Sequence, residues 1–244
     1  MRQVMVEGNA RQRHLESLYL QERFDAKLAK IDEVESFDGL HGVETSVPVE
    51  PWDVQEASEA TLINNSRYSP TPVQTIRQAI AESSVRYEEM SFVDFGSGKG
   101  WVMLVASDFP FRKIIGVEFS KELSVVARRN IENYRSDSRR SGPIEVHCLD
   151  ARDFVIPDDA SFFYFYEPFT AAVAEQVLLG IDHSIRRCPR KAVLCFVGRD
   201  LLPVIEGRPL WALRKTLKSP DDSYYDARLY VNTMEGESPG GCSS

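Results

Sequence analysis

Short apolar stretches recur through the middle of this chain, and helical segments separate most of them. Ser91–Phe95, Lys113–Glu118, Glu145–Leu149, Ser161–Tyr166 and Lys191–Val197 read as strands; Lys99–Ser107, Lys121–Tyr134 and Thr170–Arg187 read as helices. Thr71-Pro72 offers an N-cap threonine and a first-turn proline to a helix over about 72–83. Strands this short and apolar need cover on both faces, so the alternation predicts a doubly wound, mostly parallel α/β sheet. Trp211–Lys218 and Ala227–Asn232 close the series with no long helix between them, which predicts an antiparallel pair at one edge. The stretch between Val197 and Trp211 contains Pro203 and predicts only a weak helix.

The 244 residues divide into three parts. Residues 1–60 hold 6 Lys and Arg against 13 Asp and Glu. Leu15, Leu18, Phe24, Leu28 and Ile31 mark an amphipathic helix over roughly 11–34, and Gly39, Gly42, Pro48 and Pro51 make 36–60 read as irregular. This acidic extension is a lid or a helix packed on the sheet edge. Residues 61–233 form the core, and 234–244 read as a frayed tail. The longest apolar runs fall far short of a membrane span, and the N-terminus has no signal-peptide pattern. Four cysteines without CxxC spacing argue against a zinc ribbon or a disulfide framework, so the expected setting is the cytoplasm, with no metal. A net charge of −8 disfavours a dedicated nucleic-acid binder.

The most informative segment is Val93-Asp94-Phe95-Gly96-Ser97-Gly98-Lys99-Gly100, where the first strand turns into a helix. A phosphate-binding P-loop needs a glycine five residues before Gly98 and a Ser or Thr after Lys99; Val93 and Gly100 stand there. A dinucleotide loop counted from Gly96 needs a small residue at its sixth position, which is Trp101. An acid followed by GxGxG suits S-adenosylmethionine (SAM) better, because its ammonium and sulfonium groups favour a carboxylate beside the loop. Two more acids fall at the ends of the next two strands. Glu118, 22 residues beyond Gly96, stands where a strand-end acid accepts ribose hydroxyls, and Asp150 could accept from an adenine amino group.

Taken together, Val93–Gly100, Gly116–Glu118, Asp150–Asp153 and Tyr166–Phe169 resemble the successive motifs of class I SAM-dependent methyltransferases, over roughly residues 68–232. The wording is similar to uncharacterised bacterial members and, more distantly, to seven-strand histone-lysine methyltransferases. The resemblance implies a seven-strand Rossmann-like fold whose last strand is antiparallel. It implies that Asp94, Gly96, Ser97, Gly98 and Gly100 bind the methionine part, Glu118 the ribose, Phe119 the adenine face, and Asp150 and Ala151 its edge. Where the family has Asn or Asp before Pro, this chain has Glu167; Glu167 and Tyr166 are the expected residues at the methyl-transfer centre. The approach segment Tyr68-Ser69-Pro70-Thr71-Pro72 closes over cofactor or substrate in related enzymes, which makes Tyr68 and Thr71 site residues by resemblance.

The expected reaction is methyl transfer to an oxygen or nitrogen, with a small-molecule acceptor favoured over nucleic acid or membrane. Protein-lysine methylation and a non-catalytic SAM-binding module are the alternatives. Phe162, Phe163, Tyr164 and Phe165 read as the core of a two-sided strand, His147 as a core residue, and Cys148 and Cys195 as inert strand residues. Arg128, Arg129, Arg135, Arg139 and Arg140, balanced by Glu122, Glu132 and Asp137, read as a solvated face.

Overall fold

The apolar stretches become the seven strands of one sheet. In a computed structural model, which describes residues 33–47, 70–83, 86–219 and 226–233, they are β1 (Ser91–Phe95), β2 (Lys113–Glu118), β3 (Ile144–Cys148), β4 (Ala160–Tyr166), β5 (Val193–Val197), β6 (Trp211–Leu217) and β7 (Ala227–Asn232). Their order is β3-β2-β1-β4-β5-β7-β6. Neighbours from β3 to β5 pair in parallel, whereas β7 runs antiparallel to both β5 and β6. The expected antiparallel pair at one edge is therefore present, with β7 inserted between β5 and β6.

The helices are α1 (Val73–Glu82), α2 (Trp101–Ala106), α3 (Lys121–Asn133), α4 (Ala171–Arg187) and the single turn α5 (Leu202–Ile205); residues 33–41 are also helical. Ser120 caps α3 by accepting from Leu123 N–H at 3.2 Å. α1 begins without a side-chain cap, with Pro72 at the N-cap, because the Thr71 hydroxyl is turned elsewhere. α2 starts two residues later than its composition predicts, because Gly98 and Gly100 take left-handed backbone angles.

The aromatic run of β4 serves both faces of the sheet. Phe163 and Phe165 join the core under α4, while Phe162 and Tyr164 join the core under α1 and α2. Phe165 stacks on Phe95 and Phe196, with ring centroids 5.0 and 4.7 Å apart. Each fully buried phenylalanine contributes about 1.5–3 kcal/mol relative to exposure.

Three sequence expectations are corrected. β3 is the outer strand, so His147 is only half-buried and Cys148 is exposed; Cys195, in β5, is fully buried as expected. Cys188, at the end of α4, is disulfide-bonded, which the cysteine spacing does not foretell. Residues 36–41, expected to be irregular, continue the helix, and Gly42 ends it with φ +69°. The remainder of the amphipathic segment, 11–32, and the tail 234–244 lie outside the described residues. No helix among the described residues is long and apolar enough to cross a membrane.

Candidate functional site

Parallel strands present their C-terminal ends on one side of the sheet, and a ligand seats where neighbouring connections diverge. Here that point lies between β1 and β4, and the glycine loop fills it. Gly96 N–H and Ser97 N–H donate to Val117 O at 2.8 and 3.2 Å, and Gly100 N–H donates to Ser97 O at 2.9 Å. Gly96, Gly98 and Gly100 have φ of +73°, +53° and +90°, a region that L side chains rarely occupy. The loop therefore needs all three glycines to hold this turn.

Two polar atoms beside the turn stay without a partner. Asp94 Oδ2 and Ser97 Oγ are buried and make no hydrogen bond. Buried polar atoms are nearly always paired, so these two mark a position built to receive one. Burial, reinforced by the Glu118 charge, holds the Asp94 carboxyl well above the usual carboxylate range. Glu118, at the end of β2, accepts from Gly98 N–H and Ser120 N–H, each at 2.8 Å. Its burial raises its carboxyl, and those backbone donors pull it back. The acid that sequence assigns to the ligand thus also fixes the loop.

The third acid follows directly. Leu149 N–H donates to Glu118 O at 3.0 Å, which brings Asp150 beside the end of β2. Asp150 grips Arg152 with both oxygens, at 2.9 and 2.6 Å, and caps the turn Ala151–Asp153. The Arg152 guanidinium holds the Asp150 carboxyl below its usual range. Phe119 and Ala151 are partly exposed at the same strand ends.

At the end of β4, Tyr166 is partly exposed and Glu167 is buried. Glu167 has φ +41° and is the one non-glycine in the left-handed region among the described residues. Its Oε1 accepts from Arg199 N–H and Asp200 N–H, holding the turn after β5. Thr71 is fully buried: its hydroxyl accepts from Tyr164 at 3.1 Å, and its carbonyl accepts from the Trp101 indole at 2.7 Å. Tyr68 lies outside the described residues. Sequence reasoning passed over Glu44 and Asn130, which reach the loop at Lys99. No motif marks them, because their partners are 55 and 31 residues away in the chain.

Six strands run in one direction, and the reversed β7 lies between β5 and β6. This is a Rossmann-like seven-strand sheet with one reversed strand. Comparison with protein-family models and with curated proteins found no match. Solved structures of similar fold do match. TrmN from Thermus thermophilus is 17% identical, over 65% of this chain and 48% of its own, with a TM-score of 0.49. This chain thus spans about half the length of that protein. Magnesium protoporphyrin IX methyltransferase (ChlM) from Synechocystis PCC 6803, solved with bound SAM, is 12% identical over 65% of this chain and 76% of its own, with a TM-score of 0.46. An RNA methyltransferase from Salinibacter ruber, in complex with S-adenosyl-L-homocysteine, is 18% identical over 72% of this chain and 99% of its own, with a TM-score of 0.48. At these identities the likeness is one of fold.

Proposed function

We propose that this chain is a SAM-dependent methyltransferase whose cofactor seats at the ends of β1, β2 and β3. One observation carries the reading: the buried, unpartnered Asp94 Oδ2 and Ser97 Oγ beside a turn of three left-handed glycines. Asp94, Gly96, Ser97, Gly98 and Gly100 would hold the methionine part, where a cationic ammonium suits the Asp94 carboxylate. Glu118 would take the ribose, since an ionised carboxylate oxygen with one N–H donor retains a second acceptor site. Phe119 would meet the adenine face, and Asp150 and Ala151 its edge.

When bound, SAM supplies an electrophilic methyl group: an acceptor lone pair forms the new bond as the sulfur–carbon pair returns to sulfur. The chain supplies positioning, which is worth up to roughly 7–11 kcal/mol in reactions of this kind. Tyr166 would border the acceptor. Glu167, with one oxygen committed to two backbone N–H donors, would hold the acceptor side of the cleft in shape.

The acceptor is an oxygen or nitrogen nucleophile. Matched structures are named for targets as unlike as RNA and a magnesium porphyrin, so they favour no acceptor class and give no support to a small molecule in particular. Nucleic acid is therefore kept among the acceptor classes to be tested. The acidic extension is a weak guide to a cationic acceptor, because several of its acids are engaged internally. Glu44 pairs with Lys99 and Arg129, Asp38 binds Thr45 and Ser46, and Glu33 accepts from Val73 N–H.

Calorimetric titration with SAM, and then with S-adenosyl-L-homocysteine, tests the reading. Micromolar binding, lost in Asp94→Ala and Glu118→Ala variants that remain folded, is the expected result. Folded wild-type protein that binds neither overturns it. Radiolabelled SAM in a cell lysate then sorts the acceptor into protein, RNA or small-molecule fractions.

A further inference from the structure

One side-chain amide joins the N-terminal segment to the glycine loop. Asn130 is 1% exposed on α3; it donates to Lys99 O at 2.9 Å and to Glu44 O at 3.0 Å, and accepts from Glu44 N–H at 2.9 Å. The Glu44 carboxylate extends the link. One oxygen meets the Lys99 ammonium at 3.0 Å and the other meets Arg129 at 2.5 Å. Lys99 stands in the middle of the loop, with its side chain only 4% exposed. The segment is braced internally and docks on the core beside these contacts. Asp38 accepts from Thr45 N–H and Ser46 N–H, each at 2.7 Å, and from the Thr45 hydroxyl at 2.6 Å. Phe37 packs edge-on against Trp101, the first residue of α2, with ring centroids 4.6 Å apart.

We propose that residues 33–47 are a fixed clasp on the glycine loop, and that Glu44 and Asn130 are positioning residues for the cofactor site. The identity of the ligand rests on the methyltransferase reading; the ordering of the loop does not. A turn rich in glycine loses more backbone entropy on ordering than any other. Here the backbone carbonyl and the ammonium of Lys99, both in mid-loop, are gripped from outside the sheet. A loop ordered in advance spares the ligand that entropic cost, so the clasp sets affinity without touching the ligand. Removing the Asn130 amide takes a partner from the buried Lys99 carbonyl and from both the N–H and the carbonyl of Glu44. Removing the Glu44 carboxylate leaves the backbone contacts but withdraws an anion from the Lys99 ammonium.

Hydrogen exchange of the full-length protein, read on the peptide spanning 96–100, tests the clasp directly. Glu44→Ala and Asn130→Ala are each expected to speed exchange there by about tenfold or more, while β4 amides keep wild-type protection. Glu44→Gln, which keeps the shape and loses the charge, falls between. SAM affinity is expected to weaken by about five- to tenfold alongside. Wild-type exchange at 96–100 in both Glu44 variants overturns the proposal, as does faster exchange accompanied by unchanged SAM affinity. If Asn130→Ala does not fold, the half-exposed Glu44 side chain still gives the answer. If the wild-type protein binds no SAM yet the variants loosen the loop, the clasp stands and the methyltransferase reading falls.

Discussion

A Cβ on Gly96 would overlap the Cβ of Pro168, so the glycine loop and the segment after β4 pack in direct contact. On the other side of the same segment, a Cβ on Gly198 would overlap the Glu167 carboxylate. The Tyr166–Phe169 motif is therefore seated between two glycines, one after β1 and one after β5.

Gly96→Ala tests this contact. At φ +73° an alanine costs about 1–2 kcal/mol, and relieving the overlap with Pro168 adds about 1–3 kcal/mol. The expected outcome is a clearly lowered Tm in the ligand-free protein and SAM affinity weakened at least about tenfold. A variant with wild-type Tm and wild-type affinity would show that the loop yields freely.

Asp94 predicts an opposition between stability and binding. Its carboxyl is held well above the usual range by burial and by Glu118, so the folded state favours its neutral form. Stability from this group is full below the unfolded value of about 3.9 and is lost as pH rises through the higher folded value. Asp94→Asn is therefore expected to raise the Tm of the ligand-free protein at pH 8 and to flatten its decline with pH. SAM binding should disappear in the same variant. Thermal melts from pH 5 to 9, beside one calorimetric titration, check both halves; a lower Tm at pH 8 refutes the first.

The loop and the strand-end acids were legible because their signals are local. GxGxG after an apolar strand, an acid 22 residues on, and aromatics on every residue of Phe162–Tyr166 each speak within a few positions. What escaped notice depends on pairing across the chain. Gly39 and Gly42 suggested irregular backbone, yet Gly39 faces open space inside the helix and Gly42 is its left-handed end. His147 looked like a core residue until the strand order put β3 at the edge. The Asp150–Arg152 pair is the local exception: a search for acids at strand ends does not look for a cation two residues on. Glu167 carries a contact that no motif shows: its carboxylate reaches backbone 32 and 33 residues further on.

Two substitutions separate a holding role from an acid–base role for Glu167. The amide oxygen of Glu167→Gln still accepts from Arg199 and Asp200 N–H, so its Tm should stay close to wild type. Glu167→Ala leaves both donors unmatched near a buried position, and a loss of about 2–3 kcal/mol is expected. With an acceptor in hand, the Gln variant should keep turnover within about tenfold. A fall of about a hundredfold or more at unchanged Tm would instead assign the carboxylate to proton transfer.

Phe37→Ala probes whether residues 33–47 belong to the core or merely rest on it. The Phe37 ring meets Trp101 edge-on at 4.6 Å and stacks on Tyr134 at 5.9 Å, and Val34 and Thr45 beside it are fully buried. A lid that opens in each catalytic cycle would lose little stability when truncated there. A core element loses the transfer energy of a partly buried ring together with its aromatic contacts, about 2–3 kcal/mol. Trp101 strengthens the second expectation. It is 1% exposed, and its other edge is bonded to Thr71. The large residue that breaks the dinucleotide pattern is thus the one on which the extension docks. Chemical denaturation of the full chain should show a lower midpoint for Phe37→Ala in a single transition reported alike by fluorescence and far-UV dichroism. Two separate transitions, with the core midpoint unchanged, would make the segment an independent flap.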